Sequence, residues 1–410
     1  MRKPSLLVIF LTVFIDLIGF GIVLPLLPVY SRNFGANGLT IGLIMASFSA
    51  MQFVFAPVWG RLSDRIGRRP VLLVSTLGAA ASYVVFALGS RLPDPHTALF
   101  VLLASRLVAG ICGANITVAQ AYIADITPPE GRSKGMGLIG MAFGLGFIFG
   151  PALGAFSLKY LGISGPGWVA ASLCLANFFL AWAILAESWQ PQAQPIAARP
   201  RFSQWTHTLS QPRIGMLITV FFLATFCFTC FETTLGLLVG ANFHLDAGRS
   251  EDAKTIGYLF AYCGVIGALV QGGAIGRLVK KMGEPRLIAA SLLLLGVSLA
   301  PLPFMHQWAP LLFFLALLSI GSSLTRPPVF GLISMLTPAH EQGVTIGVAQ
   351  SAGSLARIAG PIFAATLFEH HPALPYMVCG GISLAAGVWA WQSLCRSEQP
   401  LVTGKPQGAS

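Results

Sequence analysis

Five charged side chains sit deep inside long apolar runs of this chain: Asp16, Arg106, Glu232, Arg326 and Arg357. Asp16 lies roughly 15 Å along its run if the run is a helix rising 1.5 Å per residue. An isolated charge at that depth in hydrocarbon costs about 2.5–3.5 kcal/mol. Such a carboxylate needs a partner or must be protonated for part of a working cycle, which is the chemistry of a group that loads and releases protons. Glu232 follows Asp16 at an offset of 216 residues and predicts a second carboxylate at a related place. It would bind a ligand, carry a proton or neutralise an arginine. Arg106 does not give up its proton. Its expected role is to tune a carboxylate, Asp16 first, or to hold water; an ion pair that only serves packing is the plainer alternative. Arg326 and Arg357 tilt the buried charge to positive, which favours an anionic or zwitterionic ligand over a cation.

The amides Gln52, Asn115, Gln120, Gln271 and Gln350 in apolar runs are candidates for a cavity. Each needs a hydrogen-bond partner there, either a ligand or a neighbouring helix. The densest charge is the stretch Gly60–Arg69, GRLSDRIGRR. Gly60 and Asp64 are one helical turn apart, so Gly60 admits a neighbouring helix and Asp64 can accept from that helix's N-terminus. Arg65 and Arg68 can pair with acids on the same rim, and Gly67 closes the pattern.

The elements that position these groups are membrane helices. Charged residues are 10% of the chain against 55% hydrophobic, far below the usual charged share of about 25%. Twelve runs long enough to span a bilayer lie near 6–30, 40–59, 71–90, 98–123, 134–159, 166–185, 214–240, 255–276, 286–305, 309–335, 343–368 and 373–395. They are continuous rather than alternating, which excludes a barrel. GRLSDRIGRR reads as a short loop between the second and third helices. Pro327-Pro328, next to Arg326, should interrupt the tenth helix.

Basic residues cluster at both ends and on alternate connections, from Arg2, Lys3, Arg61 and Arg65 through Arg199 and Arg213 to Arg396 and Lys405. Only Arg32, Arg91, Lys159, Arg249 and Lys254 fall on the other side. Both termini are therefore expected in the cytoplasm of a cell inner (plasma) membrane protein. The net charge of +11 is a topology signal, and no nucleic acid partner is expected. The seven cysteines read as small buried apolar residues, with no metal site and no cofactor.

The chain divides into two halves, 1–186 and 214–396. A polar, Pro-rich cytoplasmic linker, 187–213, joins them, and a cytoplasmic tail, 397–410, follows. The halves echo each other. GRLSDRIG at Gly60 recurs as GRLVKKMG at Gly276, FIFGPALGA at Phe147 as RIAGPIFAA at Arg357, and ITPPEGRSKGMG at Ile126 as LTPAHEQGVTIG at Leu336. Six-helix repeats of this kind place a substrate site at the midplane between two halves, and rocking of the halves gives alternating access.

Four segments carry a family resemblance: LTVFIDLIGFGIVLPLLP, FAPVWGRLSDRIGRRPVLL, SRLVAGICGA with YIADIT, and FGLGFIFGPALGA. Over its whole length the chain resembles a major facilitator superfamily transporter. Within that family it is similar to the twelve-helix drug/proton antiporter branch and its tetracycline/proton antiporters. The resemblance implies an all-α membrane protein with two pseudo-symmetric six-helix bundles, working as a monomer. It implies a latch at Gly60, Asp64, Arg65, Gly67 and Arg68 that holds the outward-facing state. It implies proton coupling through Asp16, Arg106 and Glu232, and a cavity position at Gln52. Gly146, Gly150, Pro151 and Gly154 match the fifth-helix motif of antiporters, which points to export. The sequence departs from the tetracycline antiporters at Ser82, where they carry an acid in the third helix, and again in the ninth helix, which lacks theirs. A different substrate is expected.

These features lead to a proton-coupled exporter of small amphiphilic molecules, held in the lipid bilayer. Substrate ligands are expected among Gln52, Asn115, Gln120, Glu232, Gln271, Arg326, Gln350 and Arg357. A dedicated exporter of one organic anion or siderophore-like metabolite is the alternative, and uptake by symport comes third. No cluster of nucleophile, base or metal ligands suggests an enzyme. No GxxxxGK[ST] loop suggests a pump driven by ATP.

Overall fold

The computed structural model describes residues 3–24, 26–27, 30–31, 34–36, 38–189, 201–244 and 250–395. Among them are twelve helical spans long and apolar enough to cross a membrane. In the first half these are α1 (Leu6–Val23), α2 (Thr40–Ile66), α3 (Arg68–Gly89), α4 (Pro95–Ile126), α5 (Pro129–Leu161) and α6 (Gly165–Ile184). In the second half they are α7 (Pro212–Phe243), α8 (Gly257–Met282), α9 (Glu284–Phe304), α10 (Trp308–Leu336), α11 (Ala339–His370) and α12 (Leu374–Cys395). Within the first bundle α1 packs on α5 and α6, and α3 on α4 and α6. Within the second, α7 packs on α11 and α12, and α9 on α10 and α12. The bundles meet where α2 lies on α11 and where α5 lies on α8 and α10.

Three expectations about local structure change. The charged stretch after Gly60 is not a loop. α2 runs through it to Ile66, and only Gly67 breaks the chain, at φ 99°. Ser63 and Asp64 are buried on the inner face of that last turn, so the helix continues because its polar groups have partners inside. A residue with a Cβ strains at such a φ. The tenth helix is not interrupted either, since α10 passes through Pro327 and Pro328 without a break. Prolines remove N–H donors, but neighbouring helices and local adjustment tolerate prolines within membrane helices. The linker includes a helix, Arg201–Ser210, whose Trp205 ring lies 5.5 Å from that of Phe53. Residues 190–200 of the linker, the whole tail, and Arg2, Arg32, Arg199, Arg249, Arg396 and Lys405 lie outside the described residues.

The fifth-helix glycines act inside the first bundle. A Cβ on Gly150 would stand 2.6 Å from the Gly21 Cα, and one on Gly154 2.9 Å from the Ile22 carbonyl. Gly146 meets Leu17 in the same way. The stripe therefore seats α5 directly on the backbone of α1, the helix that carries Asp16, while Pro151 lies inside α5 between these contacts. Gly150→Val should destabilise the protein by about 1–3 kcal/mol, as overpacking does. Ala155→Val, on the exposed face, should leave stability unchanged. Thermal unfolding in detergent checks both.

Candidate functional site

The bundles come closest at the Asp64 end. A Cβ on Gly60 would collide with the Gly343 carbonyl of α11, and one on Gly347 would stand 2.6 Å from the Pro57 Cα. Across this contact Asp64 accepts the Gly343 N–H at 3.1 Å and the Val344 N–H at 3.0 Å. These are free donors of the first turn of α11. Arg68 pairs with Asp64 and, at 3.0 Å, with Asp125. Its guanidinium also donates to Ser63 at 2.7 Å. Glu187 accepts the backbone N–H of Arg68 at 2.9 Å and of Arg69 at 3.1 Å. Asp125 and Glu187 were not anticipated. The one signal was the arginine excess of the stretch, which required acids from elsewhere. Arg65 departs from expectation: it is exposed and makes no ion pair among the described residues.

The second bundle repeats this arrangement with its charges exchanged. Lys280 stands at the offset of Asp64 and Glu284 at that of Arg68. Ser133, at the start of α5, donates to Glu284 at 3.1 Å, and Arg132 donates to the Ser334 carbonyl at 2.8 Å.

Midway along the spans a small, partly open cleft lies between the bundles. Its lining includes Gln52 and Thr117 from the first half, and Arg326, Gln350 and Arg357 from the second. Arg357 donates to Gln52 at 3.1 Å and to Ser354 at 3.1 Å. Arg326 donates to Gln350 at 3.2 Å, and Gln350 to Gln120 at 2.7 Å. The Arg326 guanidinium also lies over the rings of Phe143, Phe221 and Phe330, 5.1–5.8 Å from their centroids. Arg326 and Arg357 repel each other. Neither makes an ion pair within 4.0 Å among the described residues. The carboxylate of Glu232 is exposed, in charge range of Arg357 and Cys263, which sets it on the cleft side of α7.

Asp16 is not part of the lining of this cleft. It lies within the first bundle, held by amides. Asn115 donates to Oδ2 at 2.9 Å and Asn177 to Oδ1 at 2.8 Å. Asn177 also donates to the Thr12 carbonyl at 2.8 Å. Asn177 was not singled out from the sequence, although it carries the same signal as the other amides, a polar side chain in an apolar run. Asn115 therefore moves from the expected substrate ligands to the surroundings of Asp16. Arg106 is not the partner of Asp16 either. It is 1% exposed, and none of its guanidinium nitrogens has a hydrogen-bond partner. It lies over Phe48 and Phe20, 4.6 and 5.6 Å from their centroids. Gln271 lies in a π-turn of α8 against Gly137 and Gly140 of α5. It thus belongs to the contact between bundles rather than to the lining of the cleft. Cys227 and Cys230 donate to the carbonyls of Cys379 and Gly360, and the described residues contain no group of His, Cys, Asp and Glu able to hold a metal.

The profile described as Major Facilitator Superfamily matches residues 9–284 and 273–408. The chain belongs to the Major Facilitator Superfamily. The class E tetracycline resistance protein of Escherichia coli is 34% identical over 87% of this chain and 86% of its own length. Human major facilitator superfamily domain-containing protein 10 is 30% identical over 88% of this chain and 86% of its own. The crystal structure described as the human organic anion transporter MFSD10 (TETRAN) superposes with a TM-score of 0.83 at 26% identity, covering 95% of this chain and 100% of that one. This chain is accordingly a multi-pass membrane transporter and not an enzyme.

Removing one member of a buried ion pair costs about 3–5 kcal/mol. Asp64→Asn should therefore open the α2–α11 contact. In a cysteine-free background, a cysteine replacing buried Ser351 of that contact should react with maleimide at least tenfold faster once Asp64 is Asn.

Proposed function

We propose that this transporter exports small amphiphilic organic molecules in exchange for protons, and that its substrates carry an anionic group. The observation that carries the reading is the pair Arg326 and Arg357 in the cleft between the bundles, with no carboxylate paired to either among the described residues. Two guanidinium groups in one cleft, with only the Glu232 charge near one of them, favour a carboxylate, sulfonate or phosphate. Phe143, beside Arg326 in the lining, suits an attached apolar or aromatic body. The printed description of MFSD10 as an organic anion transporter supports this choice of charge. The relation to tetracycline resistance proteins and the α5 glycine stripe support export and proton exchange. A dedicated exporter of one organic anion fits the same arginines.

In this reading Asp16 is the proton site and Glu232 the acid that answers Arg357 when no substrate is present. Arg106 assists through the field of a buried, unpaired cation. The halves 1–186 and 214–396 rock as units about the linker 187–213, within a monomer in the plasma membrane. With both termini and the Asp64 end in the cytoplasm, the latched state faces outward and awaits release of substrate and arrival of a proton.

Inverted vesicles carrying the protein test the proposal. A pH gradient is established, then challenged with amphiphilic anions, zwitterions and cations. Anions or zwitterions should dissipate the gradient with the parent and not with Asp16→Asn. Arg357→Gln should raise the half-saturating concentration by at least thirtyfold, the effect of about 2 kcal/mol or more lost with a buried charge contact. Dissipation by simple cations alone would reject the anionic substrate. No response to any compound would reject proton exchange.

A further inference from the structure

The fourth span is broken at a single turn. Its first piece ends at Gly113 and its second begins at Ile116, with Ala114 and Asn115 between them. At the break the Thr117 N–H donates to the Ala114 carbonyl at 3.2 Å. The Gly113 carbonyl accepts the Gln52 amide at 3.1 Å. The turn therefore touches two places at once. On one side it forms a wall of the cleft, where Gln52 in turn accepts from Arg357. On the other, Asn115 donates to Asp16.

We propose that this broken turn couples the proton site to the substrate site, with Gln52 and Asn115 as positioning residues. The inference rests on the reading of Asp16 as proton site and Arg357 as anion ligand. As it stands, the arrangement suits an ionised Asp16, since both oxygens accept from amide N–H groups. Asn177 Oδ1, on the same amide that donates to Asp16, is buried and has no hydrogen-bond partner among the described residues. Once Asp16 is neutral, the Asn115 hydrogen bond loses its charge assistance, which about halves its strength. The turn can then wind. The Thr117 N–H passes from the Ala114 carbonyl to that of Gly113, the regular bond to residue i−4, and displaces Gln52. Gln52 is still joined to Arg357 and now lacks its anchor, so it moves into the cleft and occupies the anion's place. In reverse, an anion on Arg357 needs Gln52 drawn back onto Gly113. That keeps the turn broken and Asn115 on an ionised Asp16. Proton and anion thus exclude each other, as exchange requires, and the linkage is reciprocal. The turn is the element with two arrangements that such coupling needs.

The other groups facing Asp16 are Cys112 on α4, Thr76 and Tyr83 on α3, and Cys174 on α6. α5 presents Gly146 and Gly150 to α1 there. None of these is a cation, so the hydrogen bonds of the two asparagines are the adjustable influence on its charge.

The test uses the full chain in lipid nanodiscs without substrate. Infrared spectra follow the protonated carboxyl band that Asp16→Asn removes. Gln52→Leu takes away the anchor and lets the turn wind; half-protonation should then need roughly three- to tenfold less proton, the effect of one lost neutral hydrogen bond. Thr117→Pro has no N–H to pass on and sits in the first turn of the second piece, where proline is tolerated. It should keep the turn broken and require a similar factor more proton. Neither residue hydrogen-bonds to Asp16, so opposite displacements support the relay. Gln52→Met replaces the leucine variant if that variant does not fold. If both variants titrate with the parent, the relay is overturned while the proton site stands. If Asp16→Asn removes no titrating band, the proton site fails and the relay with it.

Discussion

A carboxylate from one bundle on a helix N-terminus of the other is the interaction on which this arrangement depends. Asp64 accepts two N–H groups from the first turn of α11, where the helix dipole adds to the attraction. Two glycines bring the backbones close enough for this. Without them a Cβ from either helix would occupy the space of the hydrogen bonds. Arg68 pairs with Asp64 and is itself shared with Asp125. α2, α3, α4 and α11 therefore meet at one buried charge group, and Glu187 adds the start of the linker through the backbone of Arg68. This is where the linker leaves the first bundle, so strain at the contact can reach both halves.

The other buried charges are handled differently, and the difference separates structure from chemistry. In the latch Asp64, Arg68 and Asp125 are charged partners of one another, which suits a contact that is either made or broken. Asp16 has only neutral amides, so it can change protonation state without abandoning a buried cation. The three intramembrane arginines lie against aromatic rings or amides rather than acids. A buried charge without its counterion is expensive, and aromatic faces return part of that cost. Around Arg326 and Arg357 the proposed anionic substrate would supply the remainder.

Pseudo-symmetry sets positions but not roles. Asp16 and Glu232 share an offset, yet one is clamped inside its bundle and the other is open beside Arg357. At the positions equivalent to Asp64 and Arg68 the second half carries Lys280 and Glu284, and of these Glu284 reaches the first bundle through Ser133. A duplicated scaffold thus keeps its backbone contacts while its side chains diverge.

Most of the fold was legible in the sequence. Hydrophobic run length, the repeat offsets and the glycine spacings depend on near neighbours along the chain, and a helix in a bilayer satisfies its backbone without outside help. Those same facts pick out Asp16, Asp64, Arg326 and Arg357, because a charge in an apolar run stands out wherever it ends up. What partners each of them was decided only by the tertiary structure. Asn177 lies 161 residues from Asp16 along the chain, and Arg357 lies 305 from Gln52. No local pattern marks either pair. Arg106 was expected beside Asp16 from its match to the buried arginine of the family, and the fold turned it toward Phe20 and Phe48 instead. The sequence by itself determined which groups would need partners, since that follows from each residue and its surrounding run. Only packing decided who the partners were, because helix rotation and close approach are set by contacts between distant segments.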